Sequence, residues 1–197
     1  DTFKKLIKNS SYTSGVLAQI FYVGAQIMCW TYIYQYAEGI GMDSVSAGYY
    51  QMAAFVLFTF GRAIGTFLLR FVNAGKLLMV FALLAIGCTV GVIFINNVIG
   101  LYCLVGVSFF MSLMFPTIYG IALGKLTEEE SKIGSAGLVM AIVGGALMPK
   151  LQGMIIDLGG YGVNDLSIAG ISEINFSFLL PVLCFAFIAM YGRKNSA

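Results

Sequence analysis

The sequence predicts an all-α integral membrane protein with six transmembrane helices. Of its 197 residues, 59% are hydrophobic and only 10% are charged, whereas a soluble domain carries roughly 25% charged residues. Six apolar stretches are each long enough to cross the hydrocarbon core of a bilayer, which takes about 20 residues per helix. Their polarity does not alternate at every second residue, so the spans are helices rather than barrel strands.

The six predicted spans cover residues 14–36, 48–71, 76–95, 98–123, 136–158 and 174–191. The last span is short and contains Pro181, which predicts either a start further into the preceding loop or a kink. The first residue is Asp1 rather than Met. We therefore expect the chain to be a piece of a longer protein.

The distribution of basic residues predicts the orientation of the spans. Nine of the eleven Lys and Arg residues lie on the side of the N-terminus: Lys4, Lys5, Lys8, Arg70, Lys76, Lys125, Lys132, Arg193 and Lys194. The opposite loops, 37–47, 96–97 and 159–173, contain none. Because cytoplasmic loops are enriched in Lys and Arg, this pattern predicts that both termini are cytoplasmic.

Several function classes are excluded by residue content. The chain contains no histidine, which excludes Ser–His and histidine–zinc chemistry. No pair of aspartates lies within a span, and the four cysteines have no metal-ligand spacing. No basic cluster is interleaved with aromatic residues, so nucleic-acid binding has no electrostatic basis. We expect neither an enzyme nor a cofactor or metal site.

Polar and aromatic residues predict a sugar-binding face. Gln19, Tyr22, Gln26 and Trp30 fall on one stripe of the first span at 100° per residue. Amides pair with sugar hydroxyls, and aromatic rings stack on the apolar face of a sugar ring. An interhelical hydrogen bond is the alternative for each amide. The candidate substrate-binding residues are Gln19, Tyr22, Gln26, Trp30, Tyr50, Ser112 and Phe115.

A second group of residues is predicted to have gating or structural roles: Arg62, Pro116, Gly144, Gly145, Pro149 and Lys150. Pro116 should kink the fourth span and free the carbonyl of Ser112. The glycine pair before Pro149 allows the helix to lose its regularity there, as a hinge, although close packing is an equal alternative. Arg62 is a buried charge that either extends to the interface or bonds to a neighbouring helix, whereas Lys150 either reaches the outer interface or serves the pathway or its outer gate.

Five stretches resemble the fucose permease family of the major facilitator superfamily. They are VLAQIFYVGAQIMCWTY (16–32), FGRAIGT (60–66), FMSLMFPTIY (110–119), GSAGLVMAIVGG (134–145) and LLPVLCFA (179–186). The resemblance runs from about residue 10 to 193 and matches only the second of the two six-helix bundles in such proteins. It implies that residues 1–11 end a cytoplasmic linker between bundles, 12–193 form the C-terminal bundle and 194–197 form a cytoplasmic tail.

The resemblance also implies a function. Members of the family are proton-coupled sugar symporters of the bacterial inner membrane, which bind substrate between the bundles and use alternating access. The partners implied are a monosaccharide, a proton, the bilayer and an N-terminal six-helix bundle that carries the proton-binding carboxylates. In agreement, no Asp or Glu lies in the middle of any predicted span.

Two departures leave the sugar open. Met114 and Phe115 precede the proline, where an enterobacterial member of the family has Gln-Tyr, and Lys150 replaces an apolar residue or proline. The expected substrate is L-fucose or a related hexose, with glucose or galactose as the alternative. A transporter-like domain that binds sugar as a sensor or assembly module, without transport, is the alternative function.

Overall fold

The computed structural model describes residues 2–160, 162 and 165–196. Its helices are α1 (Thr2–Lys8), α2 (Ser10–Thr31), α3 (Ile33–Gly39), α4 (Ser44–Leu68), α5 (Ala74–Phe94), α6 (Val98–Met111), α7 (Met114–Leu123), α8 (Glu128–Met140), α9 (Gly144–Ile156), α10 (Glu173–Ser177) and α11 (Leu179–Lys194). A 3-10 turn at Ala141–Val143 joins α8 to α9. The residues expected to end a linker are helical in α1, and the first span begins at Ser10.

Six spans are present when broken helices are joined. Five helical segments within the described residues are long and apolar enough to cross a membrane: Ser44–Leu68, Ala74–Phe94, Val98–Leu123, Glu128–Ile156 and Glu173–Lys194. The sixth is the pair α2 and α3, which is bent by 41° at Tyr32. The predicted six-helix fold is therefore confirmed, and the first span, predicted at 14–36, consists of two helices rather than one.

The fourth span breaks where proline removes a hydrogen-bond donor. Helix α6 ends at Met111 and α7 begins at Met114, two residues before Pro116. Because proline has no N–H, the carbonyl of Ser112 lacks its usual helical partner four residues later. The sixth span breaks in the same way at Phe178, three residues before Pro181, and it begins at Glu173, inside the expected loop.

The fifth span is irregular at a different place from the one predicted. Helix α9 is continuous from Gly144 to Ile156 with Pro149 inside it, and the irregular turn precedes the glycine pair. Both glycines are used for packing, since a Cβ at Gly144 would overlap the carbonyl oxygen of Ile20 and one at Gly145 would press on Val23 and Ile27. Close approach of α9 to α2 therefore accounts for these residues in the structure.

Helix α2 lies at the centre of the bundle. It packs against α7, α9 and α11, whereas α4 packs mainly on α3 and α6, and α5 packs on α6 and α11. The core that these contacts form includes Tyr22, Met28 and Phe185, all without exposed surface. This arrangement leaves most of α4 and α8–α9 exposed outside the bundle.

The loop between α9 and α10 is organised by one buried carboxylate. Glu173 has no exposed surface, and its carboxylate accepts hydrogen bonds from the backbone N–H of Gly159 (3.2 Å) and of Asp165 (2.8 Å). A hairpin of β1 (Ser167–Ile168) and β2 (Ile171–Ser172) completes this loop. Its two-residue turn has positive φ at Ala169 and Gly170, as a tight hairpin turn requires.

Asp43 caps α4 and makes the start of that helix sensitive to acid. Its carboxylate accepts hydrogen bonds from the Ser46 hydroxyl and backbone N–H, which lower the pKa of Asp43 below its ordinary 3.8. A carboxyl with a lowered folded pKa stabilises the fold above its unfolded pKa and loses that contribution as the pH falls through the folded value.

We therefore expect Asp43→Ala to reduce hydrogen-exchange protection of the first turn of α4 at neutral pH. Asp43→Asn should retain the cap at neutral pH, because Asn is an equally good N-cap residue. It should also retain the cap in acid, because an amide side chain does not titrate in this range. Protection factors of the amides of residues 44–47, in which each exchange rate is divided into the intrinsic rate at that pH, measure both effects at pH 7 and pH 3. Equal rates in Asp43→Ala and the unaltered chain would contradict this role.

Candidate functional site

The polar stripe of α2 divides into a buried part and a surface part. Gln19 and Tyr22 have no exposed surface, and the Gln19 amide and Tyr22 hydroxyl have no hydrogen-bond partner among the described residues. Gln26 and Trp30, further along the same stripe, are half-buried. Burying an unpaired amide costs several kcal/mol unless a ligand or water pairs with it, on the order of 2–7 in an apolar site.

Trp30 is fixed at the surface between α2, α4 and α6. Its indole N–H donates to the Ser108 hydroxyl at 3.1 Å. The indole ring makes edge contacts with Phe55 at 5.0 Å and Phe58 at 5.1 Å between ring centroids. A ring held in this way can present aromatic surface to a ligand without losing much conformational entropy on binding.

Arg62 binds the backbone at the break in the fourth span. Its Nε donates to the carbonyl of Ser112 at 3.3 Å, the group that Pro116 leaves without a helical donor. The guanidinium also lies over the Phe58 ring at 5.0 Å, within the range of a cation–π contact. Trp30, Phe55 and Phe58 together form what we call the Trp30 cluster. Arg62 therefore connects this cluster to the start of α7.

Two glycines allow α4 to come this close to the break. A Cβ at Gly61 would lie 2.5 Å from the carbonyl oxygen of Phe109 and 2.7 Å from the Ser112 hydroxyl. One at Gly65 would lie 3.0 Å from the side chain of Leu113. The GR-x-x-GT segment thus combines close helix approach with the placement of Arg62.

Aromatic rings continue the surface onto α7. Phe115 is half-buried, lies 6.1 Å from the Tyr22 ring and stacks on Tyr119 at 6.4 Å. Ser112 is buried, and its hydroxyl donates to the carbonyl of Phe109. We call the surface formed by Gln26, Trp30, Arg62 and Phe115 the polar face.

Tyr50 lies apart from this face. Its ring packs against Tyr102 at 5.7 Å between centroids. It precedes Arg62 by twelve residues on α4, which is about 18 Å along the helix axis. The ring partner of Tyr50 is thus Tyr102, whereas Trp30 contacts Phe55 and Phe58 and Phe115 contacts Tyr22 and Tyr119.

Helix α4 exposes two sides of different chemistry. Thr59, Arg62 and Thr66 form one exposed stripe, next to the Trp30 cluster. The other exposed stripe is entirely apolar between Val56 and Phe67: it carries Val56 (50% exposed), Phe60 (62%), Ile64 (46%) and Phe67 (56%). A charged and hydroxylated stripe at membrane depth is unfavourable against lipid and normally faces protein or water. The apolar stripe is suited to contact with lipid. The stripe of Thr59, Arg62 and Thr66 is suited to a polar path or to the surface of a partner.

Lys150 is exposed on α9, and no ion pair to it is formed within the described residues. The neighbouring backbone is fixed by α2, because the Tyr32 hydroxyl donates to the carbonyl of Pro149 at 2.7 Å. Gly153 gives room to this hydroxyl, which would lie 2.8 Å from a Cβ there. The bend at Tyr32 and the path of α9 are thus connected.

Comparison with known proteins decides the family. The chain is 52% identical over 190 residues to an L-fucose-proton symporter of Haemophilus influenzae, in an alignment that covers 96% of this chain and 42% of that protein. The chain belongs to the fucose permease family. The matched region is the C-terminal half of such a protein.

Other members of the fucose permease family agree with this assignment. The L-fucose-proton symporter of Escherichia coli is 33% identical, covering 99% of this chain and 42% of that protein. A putative glucose/galactose transporter of Helicobacter pylori is 32% identical, covering 98% and 46%. The chain therefore spans less than half the length of these curated relatives. No family model matches the sequence.

The fold agrees with a solved fucose permease. A crystal structure of FucP, a major facilitator superfamily transporter in the outward conformation, superposes with a TM-score of 0.87 at 34% identity. The match covers 100% of this chain and 45% of the solved one. The expected fold, the second six-helix half of a major facilitator superfamily protein, is confirmed.

Sequence reasoning missed residues that support the polar face and the packing behind it. Phe55 and Phe58, which hold Trp30 and Arg62, were not candidates, although they lie two turns and one turn before Arg62 on α4. Gln152 was missed as well, and its buried amide donates to the Ser177 hydroxyl at 2.9 Å. Helical spacing from Arg62 would have found the two phenylalanines, whereas nothing in the sequence pairs Gln152 with Ser177.

Proposed function

We propose that this chain is the C-terminal half of a secondary active transporter that imports a monosaccharide together with a proton by alternating access. The observation that carries the proposal is the polar face, in which Arg62 connects the rings around Trp30 to the helix break that precedes Phe115. The residues of the polar face lie at membrane depth on α2, α4 and α7, while the other exposed stripe of α4 is apolar. A sugar path between two bundles explains both stripes.

The polar face suits a hexose. The half-buried rings of Trp30 and Phe115 provide aromatic surface for the C–H side of a sugar ring, and the Gln26 amide provides a donor and an acceptor for hydroxyls. Ser108 and Ser112 already use their hydroxyls within the protein, in contacts to Trp30 and Phe109. We therefore assign direct contact to Gln26, Trp30 and Phe115, and a supporting role to Ser112.

Proton coupling is assigned to the partner bundle. No Asp or Glu occurs between Ser44 and Thr127, a stretch that includes three of the spans, and Glu173 is engaged at the start of the sixth. A carboxylate that binds the proton at mid-membrane must therefore come from an N-terminal bundle packed against the polar face. This partner would also remove Thr59 and Arg62 from contact with lipid.

Gln19 and Tyr22 are proposed to serve in a different state of the cycle. Their unpaired polar atoms are sealed beneath the polar face in this structure. Alternating access requires helices to separate at one side of the site and close at the other. Opening between α2 and α7 would expose the Gln19 amide and Tyr22 hydroxyl to the sugar or to water.

Arg62 is proposed to control the break rather than to bind the sugar. Arg62→Lys keeps the charge but removes the Nε donor that Ser112 uses, and a hydrogen bond from a charged group contributes about 1.5–3 kcal/mol. We expect the transport rate of the complete transporter to fall about tenfold or more, with sugar affinity nearly unchanged. Arg70→Lys, at the end of the same helix, is the control, and a loss of affinity without a loss of rate would contradict this role.

L-fucose is the proposed substrate. The fucose symporters of Haemophilus influenzae and Escherichia coli are 52% and 33% identical to the chain, and the glucose/galactose transporter of Helicobacter pylori is 32% identical. The protein is a multi-pass membrane protein. We place it in the bacterial inner membrane with both termini cytoplasmic, because nine basic residues lie at one end and none in the opposite loops.

Uptake of labelled sugar tests the proposal. The chain is co-expressed with the N-terminal half of its transporter in cells that lack their own fucose permease, and L-fucose, D-galactose and D-glucose are compared with and without a proton uncoupler. We expect L-fucose uptake that requires both halves and stops with the uncoupler. Sugar binding without uptake would instead support a sensor, and uptake by the chain alone would contradict the two-bundle mechanism.

A further inference from the structure

A groove runs along the seam between α5 and α11. Its volume is about 420 Å³, and it is lined by Met79, Leu83, Ile86, Ala186, Ala189, Met190 and Arg193. All but the last of these are apolar. The groove shares no residue with the polar face, so sugar binding does not account for it.

The dimensions of the groove fit one acyl chain within one leaflet. Met79 and Ile86 are seven residues apart on α5, and Ala186 and Arg193 are seven apart on α11, so each wall rises about 10 Å. A leaflet contributes about 15 Å to the hydrocarbon core. Ala186 and Ala189 leave the space, because larger residues at these positions would fill the seam.

Two cationic residues lie at one end of the groove, Arg193 in its lining and Lys76 next to it. Arg193, in the last turn of α11, lines it, and its side chain is exposed. Lys76 is also exposed, and it precedes Met79 by one turn on the same side of α5. The described residues contain one ion pair, between Lys132 and Glu128, so neither cation is paired with a carboxylate of the described part of the chain.

A second cavity extends the positive charge at this end. It has a volume of about 370 Å³ and includes Lys125, Lys194 and Asn195 in its lining. Arg193 lines one cavity and Lys194 the other, on either side of the last turn of α11. Further along α5, the exposed residues Val80 (44%), Leu83 (53%) and Leu84 (45%) are apolar, which places the groove on the lipid side of the bundle.

We propose that the groove is a binding site for an anionic phospholipid. One acyl chain lies between α5 and α11, and the phosphate is bound by Arg193 and Lys76 at the membrane surface. The chemistry of the groove favours this ligand, because an apolar trough that ends in cations without a described acidic partner matches an amphiphile with a negative head group. A lipid there would hold the last turn of α11 against the start of α5.

Native mass spectrometry of the complete transporter tests the proposal. Phosphatidylglycerol, phosphatidylcholine and inorganic phosphate are titrated separately. We expect phosphatidylglycerol to bind at least tenfold more tightly than phosphatidylcholine. The double substitution Lys76→Gln and Arg193→Gln should reduce the affinity for phosphatidylglycerol roughly twentyfold, since each cation near the membrane surface contributes a factor of about five.

Two further variants separate the parts of the site. Ala186→Phe fills the groove but keeps both cations, and it should weaken phosphatidylglycerol binding without affecting inorganic phosphate. Arg70→Gln removes a cation at the same end that does not line the groove, and it should change nothing. Equal affinity for the two lipids would overturn the proposal, as would phosphatidylglycerol binding that Ala186→Phe leaves unchanged. The thermal melting of each variant verifies its fold.

Discussion

Gly144→Ala is expected to separate α9 from α2 and to destabilise the bundle strongly. The added Cβ would overlap the carbonyl oxygen of Ile20 and lie 3.0 Å from the Ile20 side chain. A backbone oxygen cannot move aside as a side chain can, so the whole helix must shift. Overpacking of this kind costs typically 1–3 kcal/mol and occasionally more, and we expect about 3 kcal/mol here.

Gly87→Ala is the matched control. Gly87 lies within a span, on α5, and a Cβ there would have no neighbour within 4 Å. The thermal unfolding of both variants is measured on the complete transporter in detergent. Gly87→Ala should unfold at the original temperature or slightly above it, because Ala favours a helix more than Gly does, and Gly144→Ala several degrees lower. Identical unfolding temperatures would show that the close approach of α2 and α9 does not exist.

Trp30→Ala is expected to have the largest effect on sugar binding. It removes the aromatic surface at the centre of the polar face and the indole that pairs with Ser108 and packs on Phe55. Truncation of a central tryptophan in a binding site typically costs 2 kcal/mol or more, so we expect sugar affinity to fall about thirtyfold. Trp30→Phe keeps a ring but loses the N–H donor. Its sugar affinity should therefore lie between that of the unaltered transporter and that of Trp30→Ala.

Phe60→Ala provides the control for Trp30. Phe60 is another aromatic residue of a span, but it lies on the apolar stripe of α4 with 62% of its surface exposed. Equilibrium binding of labelled sugar, with the melting temperature measured beside it, separates recognition from folding. The assignment would be wrong if Trp30→Ala melted like the unaltered transporter and still bound sugar with full affinity.

Local physics made some features predictable. Proline lacks a donor, so the break before Pro116 and the free carbonyl of Ser112 follow from the sequence alone. The six spans follow from apolar length, and the polar stripe of α2 follows from helical periodicity. What Arg62 does with that carbonyl required the structure, since its partner lies fifty residues away.

Other features depend on neighbours that a sequence does not name. Periodicity places Gln19 and Tyr22 on one stripe with Trp30, but burial is decided by the helices packed over each turn. In the sequence, the glycine pair at 144–145 is equally compatible with a hinge and with packing. The position of the Ile20 carbonyl against Gly144 in the structure favours packing. The bend at Tyr32 coincides with its hydrogen bond to Pro149, which is a contact between distant segments.

Cysteine accessibility tests the central claim, that the polar face lines a water-filled path while the apolar stripe of α4 contacts lipid. Thr59→Cys and Phe60→Cys are adjacent, at nearly the same depth, on the two exposed stripes of the helix and about 100° apart around its axis. They are introduced singly into the complete transporter after its native cysteines have been replaced, and each is treated with a charged thiol reagent. We predict that Thr59→Cys reacts and is protected by the sugar, and that Phe60→Cys does not react. Reaction of Phe60→Cys alone, or of neither residue, would contradict the account.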